Sequence, residues 1–197
     1  MDLVILGPGK TTLDFRKGRE KVLAFQNVFP HCLEHLNLIP DYWVSGDPYA
    51  YILGLTFLNQ NKDKKILKNI EILVPDIFTK DLEHYRKYCG TTPLMRESGG
   101  WQKLQDLLME ASKSYKVRIL PTTTTKYIKI FENNNNQIKY LFQEEYIRFM
   151  SEKVVFGTVE FDNESVIGDR FKWGLENKLT SVALPVAYHL RTRKVKI

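Results

Sequence analysis

Short apolar segments recur along the chain, and each is closed or followed by a residue that favours turns. The segments lie at residues 2–6, 21–28, 41–47, 69–76 and 116–121. They are dense in Val, Ile and Leu and stop at Gly, Pro, Asp or Asn. Continuous apolar runs of this kind are typical of strands that are buried on both faces of a parallel sheet.

Segments with helical periodicity accompany these predicted strands. They lie at residues 49–60, 79–89, 99–112, 144–153 and 177–190. In the third of them the apolar side chains recur at helical spacing (Trp101, Leu104, Leu107 and Leu108). The alternation of strands and helices predicts a doubly wound α/β domain, and "KVKI" at the end of the chain begins one more strand.

Residues 122–143 depart from this alternation. Apolar and polar residues alternate on both sides of "ENNNNQ", which is typical of an antiparallel hairpin. We interpret the asparagine run as a loop tip rather than as a binding site. The predicted fold is a single Rossmann-like α/β domain over residues 1–197. Its mostly parallel sheet is flanked by helices, and the hairpin is an insertion.

Composition limits the class of protein. The chain has 197 residues, 43% of them hydrophobic, which suits one globular domain of ordinary size. It contains no apolar run of membrane-spanning length, and its start lacks the basic region of a signal peptide. The cysteines, Cys32 and Cys89, are expected to be reduced thiols in a cytoplasmic protein. His31 and His35 flank Cys32, but we count no set of four convergent zinc ligands.

The net charge of +6 is compatible with nucleic acid, an acidic lipid surface or an anionic small ligand as the partner. Apart from residues 62–65 and 191–196, the basic side chains are scattered, and neither cluster is interleaved with aromatic residues. Nucleic-acid binding is therefore not expected. No Asp-x-Asp motif occurs, and we interpret the acidic segment 160–164 as a solvated turn. We predict no metal and no cofactor.

A glycine-rich turn after the first predicted strand is the first candidate ligand site. Gly7 and Gly9 allow the backbone to approach a ligand, and Lys10 could pair with an anion. The spacing matches neither a Walker A loop nor a dinucleotide-binding fingerprint. An ordinary structural turn explains the same residues. Their position at the carboxyl edge of the sheet favours a ligand site.

Polar residues also end the second and third predicted strands. Gln26 and Asn27 could read the polar edge of a base or sugar, or form an Asx turn that closes the strand. Asp47 precedes Pro48, which suits the first position of a helix, so Asp47 is a natural helix cap. Because parallel strands share a carboxyl edge, we predict that these residues and the glycine turn line one crevice.

The late helical segment opens with Thr180 and Ser181. Their hydroxyls, together with the amides at a helix N-terminus, could hold an anion. An ordinary N-cap explains the same two residues.

Taken in order, these segments resemble the bacterial sialyltransferases with a Rossmann-like fold and the related family of uncharacterised glycosyltransferases and pterin diphosphokinase-like proteins. Sialyltransferases carry a glycine turn after the first strand and an asparagine on the second. An asparagine or aspartate stands before proline at the end of the third strand, and Thr-Ser-Gly opens a late helix. The resemblance implies that these groups surround a cytidine nucleotide-sugar donor, with a glycan as the acceptor.

The resemblance implies substrate-binding roles for the residues that match these motifs: Gly7, Gly9, Lys10, Asn27, Asp47, Thr180 and Ser181. Some positions depart from the family pattern. Pro8 replaces an asparagine, Lys10 replaces a proline and Val182 replaces a glycine. Because a helix N-terminus favours the charged form of a carboxylate, Asp47 suits binding of a ribose or sugar hydroxyl better than the role of general base.

In the sialyltransferases the general base is a histidine beyond the strand that follows the late helix. This sequence stops at Ile197 inside that predicted strand, and all its histidines precede it. The expectation is either a fragment of a longer enzyme or a shortened relative that binds a nucleotide without transferring sugar, so the catalytic residues stay unassigned. The predicted function is a glycosyltransferase-like protein that binds a nucleotide-sugar donor. The alternatives are a nucleotide-dependent diphosphokinase-like enzyme and a non-catalytic nucleotide-binding protein.

Overall fold

The architecture is a parallel sheet with helices packed against it, seen here in a computed structural model. The structure describes residues 1–7, 12, 14–83, 98–120, 128–132, 138–142, 152, 154–155, 186–187 and 190–196. The strands are β1 (Asp2–Leu6), β2 (Lys21–Phe25), β3 (Tyr42–Val44), β4 (Glu71–Pro75), β5 (Lys116–Leu120), β6 (Ile128–Glu132), β7 (Ile138–Phe142), β8 (Val154–Val155) and β9 (Lys194–Lys196).

Seven of these strands form one sheet in the order β5-β4-β3-β2-β1-β9-β8, and every neighbouring pair is parallel. From β1 to β5 each successive strand is added on the same side of the one before it. The last strand, β9, lies on the other side of β1 and makes β1 an interior strand. The predicted α/β fold with a Rossmann-like parallel sheet is confirmed.

The helices are α1 (Val28–Glu34), α2 (Pro48–Gln60) and α3 (Ser98–Ser112), with 3-10 turns at Lys65–Asn69 and Asp76–Thr79. Buried side chains of all three helices belong to one hydrophobic cluster with the sheet. The predicted apolar stripe of α3 faces this cluster, because Trp101 and Leu104 are buried in it and Leu107 and Leu108 pack against it. No described helix is long and apolar enough to cross a membrane.

Both faces of the central strands are buried, which explains why the sequence shows continuous apolar runs. Alternate residues such as Val4, Val22 and Trp43 point into the cluster with the helices. The residues between them are buried on the opposite face: Leu3, Ile5, Leu23, Phe25, Val44 and Leu73. A strand exposed on one face would instead have shown polar residues at every second position.

The predicted hairpin is confirmed. β6 and β7 pair antiparallel, with Ile130 opposite Tyr140, and form a two-stranded sheet of their own. The segment between them is the asparagine run of the sequence, which lies outside the described residues. The alternation of apolar and polar residues was sufficient to identify this element because it has the period of a strand.

Several predicted boundaries were wrong. The second predicted strand ran to Val28, but β2 ends at Phe25 and Val28 begins α1, a helix that the sequence analysis did not identify. The third ran to Asp47, whereas β3 ends at Val44. The predicted helices at 79–89, 144–153 and 177–190 lie mostly outside the described residues.

Candidate functional site

The carboxyl ends of β1, β2 and β3 lie side by side. Leu6 of β1 is level with Ala24 of β2, and Phe25 of β2 is level with Val44 of β3. The residues that follow these strands therefore emerge at one edge of the sheet, which we call the carboxyl edge. This edge carries Gly7, the pair Gln26–Asn27 and the segment Ser45–Asp47. Open parallel sheets bind ligands at such an edge.

Gly7 begins the loop after β1 and faces free space. A Cβ atom built on Gly7 would meet no atom of the described structure within 4 Å. The loop returns to this glycine, because the Thr12 hydroxyl donates a hydrogen bond of 2.6 Å to the Gly7 carbonyl. This bond holds Thr12 beside Gly7. Gly9 and Lys10 lie outside the described residues.

The turn between β2 and α1 is held by the backbone of Gln26. Its φ of 57° is a left-handed conformation. Its N–H donates to the Val44 carbonyl at 2.8 Å, and its carbonyl accepts from the Trp43 indole N–H at 2.8 Å. The Gln26 backbone thereby joins β2 to β3.

Asn27 is exposed at the N-cap position of α1, yet its side chain makes no capping hydrogen bond. Asn27 therefore does not form the Asx turn that the sequence analysis considered, and the Gln26 backbone holds the connection between β2 and α1 instead. Among the described residues the Asn27 amide has no partner, so both its donor and its acceptor are available at the carboxyl edge.

Asp47 caps α2, as the sequence predicted. It has extended backbone angles, and its Oδ1 accepts a hydrogen bond of 2.9 Å from the Tyr49 N–H. Pro48 occupies the first position of the helix, where its missing N–H costs nothing. The second carboxylate oxygen, Oδ2, has no partner among the residues that the structure describes. Capping therefore engages half of the carboxylate and leaves the other half available.

Ser45 forms hydrogen bonds with the backbone of Asp47, and Tyr51 forms one with the backbone of Ser45. The fully buried Ser45 hydroxyl accepts from the Asp47 N–H at 2.9 Å and donates to the Asp47 carbonyl at 3.1 Å. The Tyr51 hydroxyl accepts from the Ser45 N–H at 3.0 Å and donates to the Leu73 carbonyl at 2.5 Å. Burial raises the pKa of Tyr51, so the hydroxyl remains a neutral donor and acceptor at physiological pH.

The sequence analysis did not identify Ser45 or Tyr51 as parts of this edge. The available signal was a tyrosine on the buried face of a largely apolar helix, because a buried tyrosine hydroxyl usually has a hydrogen-bond partner. Its partners come from β3 and β4, and no sequence pattern predicts which strands lie beside the helix.

The two edges of the sheet differ in how their acids are paired. At the amino edge, Asp41 contacts Lys17 and Lys21, and Glu71 contacts Lys116 and Arg118. Asp47 at the carboxyl edge has no such basic partner in the described part of the chain. An unpaired carboxylate oxygen and a free amide can bind hydroxyl and amide groups of a polar ligand, and the space beside Gly7 is open.

Two further predicted site residues, Thr180 and Ser181, lie outside the described residues, so their position at the carboxyl edge stays a prediction.

On α1 the structure brings together three residues of types that bind metals: His31, Glu34 and His35. Their ligand atoms lie within 4.8 Å of one another. The sequence analysis looked for four convergent zinc ligands and found none, so it did not identify this three-residue set.

Comparison of the chain with family models, with curated proteins and with solved structures finds no match.

Proposed function

We propose that the chain binds a nucleotide sugar at the carboxyl edge of β1, β2 and β3 and acts as a glycosyltransferase-like protein. The observation that carries this proposal is the alignment of three neighbouring parallel strands whose ends present Gly7, Asn27 and Asp47 at one edge. Ligands of open α/β sheets bind outside the carboxyl ends of such strands.

Each of the three residues has either an unused hydrogen-bonding atom or open space beside it for a ligand. The space beside Gly7 admits a phosphate against the backbone. The Asn27 amide can both donate to and accept from a base or a sugar. Oδ2 of Asp47 can accept a hydrogen bond from a ribose or sugar hydroxyl, which is stronger than one between neutral groups.

The identity of the donor rests on the resemblance to sialyltransferases, which implies a cytidine nucleotide. The net charge of +6 suits an anionic ligand of this kind. In the transfer, the bond between the sugar and the phosphate would break, and an acceptor hydroxyl of a glycan would bond to the sugar carbon as its proton passes to a base. Asp47 serves binding in this proposal, and the base is left unassigned.

The first test is calorimetric titration of the chain with CMP, UMP, AMP and GMP. The expected result is tightest binding of CMP. Equal affinity for all four nucleotides, or no binding of any, would contradict the cytidine assignment. If CMP binds, incubation with a cytidine nucleotide sugar and a glycan follows. Absence of both transfer and hydrolysis would then contradict the transferase part of the proposal, and Mg²⁺-dependent turnover of ATP would favour a diphosphokinase.

Two substitutions test whether the nucleotide binds at the carboxyl edge. Gly7→Ala should leave stability unchanged or slightly improved, because the added methyl group meets open space and the unfolded chain loses freedom. It should weaken nucleotide binding, because the methyl occupies the space next to the phosphate. Asn27→Ala should also weaken binding.

The matched control is Asn69→Ala, which removes an exposed asparagine that precedes β4 at the amino edge. This control should bind as the parent does. Unchanged affinity in both Gly7→Ala and Asn27→Ala would exclude the carboxyl edge of β1 and β2 as the binding site.

A further inference from the structure

The exposed side of α1 gathers His31, Glu34 and His35 near the end of the helix. His31 and His35 are four residues apart, and their rings stack with centroids 5.5 Å apart and planes inclined by 18°. Glu34 lies between them in sequence, and one ligand atom from each residue can be chosen so that all lie within 4.8 Å of one another. All three side chains are exposed.

We propose that His31, Glu34 and His35 bind one divalent transition-metal ion, of the class of Zn²⁺, Ni²⁺ or Cu²⁺. Two imidazole nitrogens and one carboxylate oxygen would be the protein ligands, and water would fill the remaining positions. Imidazole ligands favour these metals over Mg²⁺ and Ca²⁺, which prefer oxygen ligands alone. This site is separate from the proposed nucleotide site and does not depend on it.

The spacing of the three residues suits chelation. Histidines at positions i and i+4 lie on the same side of a helix, which is the arrangement that zinc-binding helices use. Glu34 is three residues after His31 and therefore also a neighbour on that side. Two atoms bound to one metal at about 2.0–2.2 Å lie at most roughly 4.4 Å apart, so the separations of up to 4.8 Å here need only small adjustments. Exposed side chains can make these adjustments by rotation alone.

The position of the set on the helix also favours a cation. His31 lies in the last turn of α1 and His35 is its C-cap residue. The C-terminal end of a helix carries a partial negative charge that stabilises a bound cation. Among the described residues, the side chains of His31, Glu34 and His35 have no salt bridge that a metal would have to displace.

The opposite side of α1 anchors the helix and keeps the thiol of Cys32 away from the metal. Cys32 and Phe29 are fully buried in the core. The Cys32 thiol therefore lies in the core, on the side of α1 opposite to the three exposed residues. Coordination therefore involves only the exposed side of the helix.

The His-x-x-Glu-His spacing also occurs in a class of zinc peptidases, in which the glutamate acts as a base. A peptidase site encloses its metal within a substrate cleft, whereas all three residues here are exposed. The proposal is accordingly one of metal binding and not of proteolysis.

The test is calorimetric titration of the full chain with ZnCl₂, NiCl₂ and CuCl₂. The expected result is one ion per chain with a micromolar dissociation constant. His31→Ala and His35→Ala should each weaken this binding at least roughly tenfold, because each removes one of two imidazole ligands. Glu34→Gln should weaken it less. The matched control, His84→Ala, removes a histidine outside the set and should leave the affinity unchanged.

A spectroscopic readout identifies the ligands directly. Electron paramagnetic resonance of the chain with one equivalent of Cu²⁺ should show hyperfine coupling to two imidazole nitrogens, and the coupling should be lost in the double variant His31→Ala, His35→Ala. Circular dichroism confirms that this variant is folded. Binding of one ion with unchanged affinity and spectrum in the double variant, or no binding by the parent, would overturn the proposal.

Discussion

At the scale of single residues, two side chains at the carboxyl edge keep polar atoms that the fold does not engage. Asp47 caps α2 with one oxygen and leaves the other free, whereas Asn27 occupies a cap position without capping. A residue whose polar atoms are all engaged by the fold has little capacity for a ligand. These two retain that capacity, and each can therefore be tested for stability and for binding separately.

Substitution of Asp47 separates its observed role as a helix cap from its proposed role in nucleotide binding. Asp47→Asn should leave stability nearly unchanged, because asparagine caps a helix about as well as aspartate does. Asp47→Ala should lower the free energy of unfolding by about 1 kcal/mol, because the Tyr49 N–H loses its partner. Melting temperatures of the three proteins check this part.

Both variants should also weaken nucleotide binding by about ten- to a hundredfold, since a hydrogen bond to a charged group contributes about 1.5–3 kcal/mol. Dissociation constants measured beside the melting temperatures distinguish the two roles. If Asp47→Asn binds as tightly as the parent, Asp47 serves only as a helix cap.

At the scale of elements, α2 is held against the sheet by the close contact of Gly54 with Trp43. A Cβ atom on Gly54 would overlap the Trp43 ring. The ring has little room to move, because its N–H is bonded to Gln26 and it stacks on Phe29 with centroids 5.0 Å apart. The absence of a side chain at Gly54 therefore determines how near α2 can approach β3.

Gly54→Ala should destabilise the protein by about 1–3 kcal/mol, because the methyl group forces the helix or the indole to shift. This loss outweighs the gain of about 1 kcal/mol that alanine brings to a helix interior. The control is Gly99→Ala in α3, where a Cβ meets no atom within 4 Å and the same exchange should be neutral or stabilising. Urea unfolding of both variants measures the difference. If the two substitutions change the free energy of unfolding equally, the Trp43 ring is able to move away from the added methyl group.

The junction of β3 and α2 depends on the Tyr51 hydroxyl. Tyr51→Phe leaves the buried Ser45 N–H and the Leu73 carbonyl without this partner and should cost about 1–3 kcal/mol. Tyr49→Phe is the matched control, because Tyr49 is 50% exposed. Its variant should be as stable as the parent in the same urea experiment. A neutral Tyr51→Phe would mean that water or a rearranged turn satisfies both groups.

At the scale of the whole molecule, the first and last strands of the sequence lie beside each other in the sheet. β9 pairs with β1, and the Arg193 guanidinium donates to both carboxylate oxygens of Asp2 at 2.9 Å. The pair is solvent-exposed, so it contributes little to stability and mainly accompanies the strand pairing. The pairing itself makes β1 an interior strand.

Acid should destabilise the molecule through Asp41, which joins β2, β3 and β4 at the amino edge. Burial alone would raise the pKa of Asp41, but hydrogen bonds from Lys21 and the Val22 N–H outweigh it and lower the pKa below its usual value. A carboxyl whose pKa is lower in the folded state stabilises the protein above its unfolded pKa of about 3.9. That stability is lost as the pH falls through the folded pKa.

Urea midpoints measured between neutral pH and pH values below about 4 should therefore fall, and Asp41→Asn should reduce the steepness of that fall. The matched control is Asp106→Asn on the exposed surface of α3, whose pH profile should follow that of the parent. If Asp41→Asn and the parent lose stability identically as the pH falls, Asp41 is not the source of the acid destabilisation.

The sequence alone determined the features that depend on local chemistry or on burial. Continuous apolar runs predicted the parallel strands because both faces of β1 to β4 are buried. Alternation predicted the β6–β7 hairpin, and the Asp47–Pro48 pair predicted the start of α2 because a cap bonds to an N–H two residues away. The strands also had to share a carboxyl edge, since they are parallel.

Tertiary structure decided what depends on contacts between distant segments. β2 stops at Phe25 because the Gln26 backbone is held in a left-handed conformation by Val44 and Trp43, and no local pattern at Gln26 signals those partners. Because β2 ends at Phe25, α1 can begin at Val28. This helix places His31 and His35 on one exposed side. The position of β9 beside β1 likewise follows from a pairing between the two ends of the chain. Hydrophobic patterning specifies which faces are buried, but only packing selects the segments that bury them.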